Sequence, residues 1–127
     1  MIGYEKIYEA GIIHRDLKPA NILMKNNVVR IADFGFAIPI NEILREESLI
    51  IGSPMYMPYE ALKKKIYSFK GDIWALGITF YEMLAGEALF KAKTEKELIR
   101  MINFSSAKKM IPERFSEKIR KILIRML

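Results

Sequence analysis

The chain has 127 residues, a formal net charge of +6 and 51% hydrophobic side chains, enough to bury one core and too few for a second domain. No run approaches the roughly 18 uninterrupted apolar residues of a membrane span; the densest stretch, residues 73–84, is shorter and contains Glu82. With no cysteine, disulfides and thiolate zinc sites are excluded, the compartment stays open, and the cytosol is the default reading.

From Ile2 to Ala10 apolar and charged residues alternate at helical spacing, with Ile2, Tyr4 and Ile7 near one face and Gly11 as the C-terminal stop. Glu5, Lys6 and Glu9 interrupt any apolar leader. The polar stretch His14-Arg15-Asp16-Leu17-Lys18-Pro19-Ala20-Asn21 follows. Short apolar runs, Ile22-Leu23-Met24 and Val28-Val29, split by the turn-like Lys25-Asn26-Asn27, then predict a β-hairpin. Asp33-Phe34-Gly35 lies beyond it, with Asp33 twelve residues after Asn21. The hairpin returns Asp33 to Asn21, offering a carboxylate and an amide oxygen to a hard cation such as Mg²⁺, with Asp16 facing the same space.

Residues 33–60 show little sustained period and predict a long loop, a kind of segment that is usually functional in a compact domain. Gly52-Ser53-Pro54 within it reads locally as a turn. Residues 71–84 are apolar nearly all round, which predicts a buried helix. Asp72 in its first turn caps it and complements its dipole, and Gly86 ends it. Thr94 and Glu97 form a capping box opening another helix. Beyond Pro112, Ser116 caps a last helix expected to turn Ile119, Ile122, Leu123 and Met126 inward.

The charge is uneven. Residues 1–90 carry 10 basic and 11 acidic side chains, whereas residues 91–127 carry 11 basic and 4 acidic. A basic tail suits nucleic acid or an acidic membrane. Its Lys and Arg are interleaved with Ile, Leu and Met as on ordinary amphipathic helices, so a solvated face is the preferred reading and no nucleic-acid partner is expected.

His-Arg-Asp-Leu-Lys-Pro-Ala-Asn followed by Asp-Phe-Gly resembles the protein-kinase signature at each fixed position and in the right order. Lys18-Pro19 after Asp16-Leu17 resembles the serine/threonine branch. Asp-Phe-Gly-Phe-Ala together with Gly-Ser-Pro-Met-Tyr-Met is similar to the unc-51-like, autophagy-type kinases. The resemblance implies a kinase C-terminal lobe, mainly α with a small β-hairpin, truncated at both ends. The glycine-rich loop, the phosphate-binding lysine, its glutamate partner and the hinge that holds adenine have no counterpart in these residues.

The resemblance also implies roles. Asp16 orients the substrate hydroxyl and accepts its proton, Lys18 offsets charge on the moving phosphoryl group, and Ser53 bonds both. Asn21 and Asp33 hold Mg²⁺ with ATP, and Leu23 forms the floor under adenine, although a plain core leucine fits the sequence equally. His14 is structural, packing on Phe34 of Asp33-Phe34-Gly35. Arg15 faces the activation segment and pairs with a phosphate there; Ser48 is the only hydroxyl between Gly35 and Gly52 and is the candidate acceptor. Asp72 bonds the backbone of the catalytic loop. Glu60 corresponds to the carboxylate that pairs with an arginine expected beyond Leu127. Pro58-Tyr59-Glu60 departs from the family's usual Ala-Pro-Glu, which puts the docking of the activation segment in question.

The expected function is transfer of the ATP γ-phosphoryl group to Ser or Thr of a protein substrate, with Mg²⁺ and a regulatory protein partner. The alternative is a non-catalytic lobe that docks a protein through its surface and basic helices.

Overall fold

The computed structural model describes residues 2–42, 50–104 and 106–127. Helix α1, Ile2–Glu9, buries Tyr4 and Ile7 as its spacing predicts, and Gly11 ends it with φ 67°. A short strand β1, Ile12–Ile13, leads into the His14-Arg15-Asp16 loop, which closes with a single 3₁₀ turn, Pro19–Asn21.

The predicted hairpin is present. Strands β2, Ile22–Lys25, and β3, Val28–Ile31, pair antiparallel from Ile22 opposite Ile31 to Lys25 opposite Val28. Asn26 and Asn27 between them both have positive φ, 51° and 60°. That conformation makes a two-residue turn whose twist matches the strands, and Asn tolerates it better than most side chains. A second small sheet was not expected: β4, Ile38–Pro39, pairs with β1 inside the stretch read as featureless loop. Two residues per strand are too few to leave an alternating pattern.

Helix α2, Tyr59–Lys64, precedes the long α3, Phe69–Ala85. The α3 helix begins earlier than its apolar run, because the Ser68 hydroxyl accepts from the Gly71 N–H at 3.4 Å. Gly86, φ 73°, closes it as expected. Helix α4, Glu95–Phe104, follows the predicted box, with Thr94 Oγ1 accepting from the Glu97 N–H at 3.2 Å. The returning Glu97 carboxylate bonds the Lys93 N–H at 2.8 Å, one residue before the cap. Helices α5, Ala107–Met110, and α6, Glu117–Met126, complete the chain.

The larger core joins Met57, Leu62, Ile78, Tyr81, Leu98 and Leu123 from α2, α3, α4, α6 and their connections. A smaller one joins Tyr4, Ile7, Leu17 and Ala75 beneath the polar loop, and Tyr56 packs against both. On α6 only part of the expected face turns inward: Leu123 is fully buried, but Ile122 is exposed along the rim of an apolar cleft shared with Tyr4, Val29 and Phe80. Helix α3 lies so close to the end of α6 that a side chain at Gly77 would press on Met126 and Leu127.

Candidate active site

The loop from His14 to Asn21 is held from below by α3. Asp72 is 2% exposed, and its carboxylate accepts three hydrogen bonds: from the His14 N–H at 2.8 Å, the Arg15 N–H at 3.0 Å and the Tyr4 hydroxyl at 3.2 Å. Burial pushes this carboxyl up, and the three donors only partly oppose it. Arg15 has φ 67°, a conformation that costs an L-residue free energy, and Asp72 fixes it through the Arg15 amide. The sequence offered helix capping as one role for Asp72 and loop bonding as another. The cap belongs to Ser68, and Asp72 bonds the loop.

His14 is completely buried. Its Nδ1 lies 3.3 Å from the Asp16 N–H and accepts from it, so the ring proton sits on Nε2 and is donated to the Ala32 carbonyl at 3.2 Å. The Phe34 ring lies against it with centroids 4.9 Å apart. The imidazole therefore ties the loop to the end of β3, in keeping with a structural role.

Asp16 presents one engaged and one open oxygen. Oδ2 meets Lys18 Nζ at 2.8 Å and the Asn21 side-chain amide at 3.2 Å, and that amide also reaches the Asp16 carbonyl at 2.9 Å. Lys18 Nζ continues to Ser53 Oγ at 2.9 Å. Oδ1 is buried and has no hydrogen-bond partner among the described residues. Burial pushes the Asp16 carboxyl up, but the bonded Lys18 ammonium, with the polar groups of Ser53 nearby, outweighs it and holds the group below the usual carboxylate range. It is thus an anion with an unused acceptor at the floor of the site. Ser53 arrives there because Gly52, φ 103°, lets the backbone pass against the Arg15 carbonyl, where a Cβ would overlap the oxygen.

Asn21 and Asp33 stand at the same end of the hairpin, as its register requires. The Ala32 N–H donates to the Asn21 carbonyl at 2.9 Å. Asp33 has φ 63°, and its Oδ1 accepts from the Gly35 N–H at 3.2 Å. Asp33 is exposed and makes no bond to Asp16 or Asn21 among the described residues. Because the Asn21 NH₂ is committed to Asp16, its carbonyl oxygen is the end of the amide left for a cation. One carboxylate with one amide oxygen is a hard donor set that fits Mg²⁺, an ion that keeps waters and phosphate oxygens among its ligands. Among the described residues no cluster of three or more His, Cys, Asp or Glu side chains is suited to a metal, so such an ion would rely on a phosphate substrate.

Leu23 lies on β2 opposite Arg30 and is 54% exposed, so the core-leucine alternative does not hold. The Arg15 Nε donates to the Phe36 carbonyl, and the guanidinium lies 5.3 Å from the centre of the Tyr67 ring. Ser48 lies outside the described residues. Glu60 makes no ion pair among the described residues; it lines a cavity of about 680 Å³ with Lys70, Trp74 and Arg125. Pro58 is accommodated where it stands. It is buried, starts α2 with its carbonyl accepting from Ala61 and Leu62, and rests its ring on Gly71.

Two contacts at the site were not foreseen. Tyr4 reaches Asp72 from α1, and the Tyr56 hydroxyl donates to Glu82 at 2.8 Å. Their partners are 68 and 26 residues away, and no local period signals such a pairing.

A buried carboxylate with one oxygen tied to a lysine and one open, beside a serine hydroxyl and a cation-ready hairpin end, is a place for handling a hydroxyl proton next to an anionic substrate. That combination is what a phosphoryl-transferring enzyme requires. The chain belongs to the protein kinase domain family, which matches residues 1–127. It is of the serine/threonine type. It is 38% identical to the serine/threonine-protein kinase unc-51 of Caenorhabditis elegans, covering 97% of this chain and 16% of that protein. It is 44% identical to the rice serine/threonine-protein kinase Nek6 over its whole length and 23% of the relative. With Dictyostelium discoideum atg1 the identity is 33% over 98% of this chain and 19% of the relative. The chain thus spans less than a quarter of each of these relatives.

Proposed function

We propose that residues 1–127 form most of the C-terminal lobe of a protein kinase that transfers the γ-phosphoryl group of ATP to a serine or threonine hydroxyl of a protein substrate. The single observation that carries this reading is the split carboxylate of Asp16, with Oδ2 fixed by Lys18 and Asn21 and Oδ1 buried without a partner among the described residues. A substrate hydroxyl placed at Oδ1 donates its hydrogen bond there and gives up its proton as its oxygen bonds phosphorus and the ADP oxygen leaves.

Lys18, already between Asp16 and Ser53, offsets negative charge on the moving group, and Ser53 keeps the lysine from swinging away. Asn21 and Asp33 would hold the metal, and the open Leu23 would lie under the adenine. When bound, Mg²⁺·ATP supplies the phosphoryl group and neutralises its developing charge. Asp72, His14 and Phe34 act by keeping the loop in place, and Arg15 is the residue offered to a phosphate on the activation segment. The glycine-rich loop and phosphate-binding lysine that such a reaction needs would come from another part of the same polypeptide, because kinase catalysis is largely positioning from both sides of the nucleotide. A regulatory protein partner acting on the activation segment completes the reading.

The test is phosphate transfer from labelled ATP to a protein substrate by the full-length polypeptide. Asp16→Asn and Asp33→Asn should each lower turnover by about two orders of magnitude or more, and residues 1–127 alone should transfer no measurable phosphate. A fully active Asp33→Asn enzyme would refute the metal assignment, and a fully active Asp16→Asn enzyme would refute the whole reading.

A further inference from the structure

We propose that the outward face of α4 is a docking site for an acidic, extended segment of a partner protein, with Lys96 and Arg100 taking its carboxylates and Phe104 one apolar side chain. The proposal concerns how a partner is held and goes beyond the transfer reaction proposed above.

Phe104, at the end of α4, is 80% exposed, more than any other large apolar side chain among the described residues. Lys96, Arg100 and Phe104 succeed one another at four-residue spacing, so they lie on one face of the helix. All three are exposed, while Leu98 on the opposite side is 2% exposed in the core. The helix therefore has no freedom to turn this face inward.

The two cations are open as well. Elsewhere in the basic half of the chain, Lys91 and Lys121 each meet a glutamate four residues before them, Glu87 and Glu117, at 2.6 Å. Lys96 and Arg100 make no ion pair among the described residues. The only acid three or four residues from either is Glu97, and its carboxylate turns back to the Lys93 N–H at 2.8 Å to close the capping box. Lys96 and Arg100 are also one turn apart, a like-charge pairing that weakens a helix rather than supporting it. The charge that would balance them has to come from outside the helix.

The spacing states what fits. At about 1.5 Å per residue, Arg100 and Lys96 lie about 6 and 12 Å from Phe104 along the axis. An extended chain advances about 3.3 Å per residue and points alternate side chains the same way. The three groups are thus matched by an apolar residue with carboxylates two and four positions from it. Aromatic rings and arginine are also the side chains that most often anchor a small interface.

A lipid surface fits less well. A helix lying on a membrane sinks a whole apolar face into it, but Leu98, Ile99, Met101 and Ile102 of α4 belong to the core and leave Phe104 alone outside. Nor does one ring offer the succession of stacking surfaces that a single-stranded nucleic acid uses.

The experiment titrates the full-length polypeptide that carries this segment against a fluorescein-labelled Gly-Ser-Glu-Gly-Glu-Gly-Leu-Gly-Ser peptide, read by polarisation at low salt. A Kd of about 100 μM or tighter is expected, a transient contact in keeping with its size. Phe104→Ala should weaken binding about tenfold with the melting temperature within about 2 °C of wild type, and Phe104→Leu should keep most of the affinity. Raising the salt to about 0.5 M should weaken wild-type binding by screening the exposed charges. Exchanging both glutamates of the peptide for lysine should abolish binding to wild type. Lys96→Glu combined with Arg100→Glu should take up the lysine peptide and lose the glutamate one, an exchange of preference that damage to the fold would not produce. Should Phe104→Ala melt lower, this charge exchange decides alone. No binding at about 1 mM, equal binding of the two peptides, or an unaltered Kd in Phe104→Ala would overturn the proposal. So would Phe104-dependent binding of phosphatidylserine vesicles or oligothymidylate by a polypeptide that ignores the glutamate peptide. None of these readouts needs phosphate transfer, so Asp16→Asn should bind the peptide as the wild type does, and failure here leaves the transfer reading standing.

Discussion

Replacing Asp72 by Asn removes a single charge and almost no volume, so it isolates what the three donors require. The carboxylate gives one oxygen to the Arg15 N–H and the other to both the His14 N–H and the Tyr4 hydroxyl. An amide has one acceptor. In either orientation its NH₂ group faces at least one buried donor, and the backbone N–H groups of the loop cannot turn away. Burial raises the Asp72 carboxyl more than the donors lower it, so losing the charge itself relieves some desolvation cost, and what remains is the mismatch. An unsatisfied buried donor costs about 1–3 kcal/mol, and a lost bond to a charged acceptor is of the same order. We expect a net loss of about 2–4 kcal/mol, a large share of the roughly 5–15 kcal/mol available to a domain. Unfolding entropy of about 2.1 cal mol⁻¹ K⁻¹ per residue over 127 residues converts this to a fall in melting temperature of about 8–15 °C, read by circular dichroism. Tyr4→Phe removes one donor and should cost about a third as much. The pH dependence gives a second check. A carboxyl raised in the folded state contributes stability below the ordinary carboxylate range and loses that contribution as pH rises through its raised value. The gap between wild type and Asp72→Asn should therefore widen as the pH is lowered from neutral. A melting temperature within 2 °C of wild type would refute the bond-by-bond reasoning.

Gly52→Ala should destabilise by about 2–4 kcal/mol and lower activity, because φ of 103° is strained for alanine and its Cβ would overlap the Arg15 carbonyl; a melt matching wild type would contradict the close approach of the two segments. Glu60→Gln in residues 1–127 should shift the melting temperature by no more than about 2 °C, since Glu60 makes no ion pair among the described residues. In a chain carried through the next helical segment, where the resemblance expects an arginine, the same change should cost about 3–5 kcal/mol, and equal effects in both chains would show that this arginine is not its partner.

What could be read in advance was whatever is local. The eight residues from His14 to Asn21 carry their chemistry in contiguous order, and Asp33 follows through a hairpin whose turn residues, Asn26 and Asn27, announce themselves. Thr94, Ser116 and Gly86 mark helix ends for the same reason. Partnerships across the fold were hidden: Tyr4 with Asp72 and Tyr56 with Glu82 depend on how α1, α3 and the Pro54–Tyr56 turn come together. Ile122 looked core-facing because period alone fixes which residues share a helix face, not how much of that face a neighbour covers. Pro58 looked disruptive because a proline is judged by the N–H it lacks, yet at the start of α2 that N–H would have had no partner within the helix.

The β2–β3 hairpin has a consequence for the behaviour of the protein in solution. Among the described residues it is a two-stranded sheet with no further strand on either edge, and Leu23, Met24, Val28 and Val29 on it are all at least half exposed. Open edges lined with apolar side chains are templates for strand addition by another chain. Lys25 and Arg30 are its only charges, and they bracket the apolar windows as gatekeepers against that assembly. Two cations on eight strand residues thus stand between this surface and strand addition, and neutralising either one is expected to lower the concentration at which the chain stays dispersed.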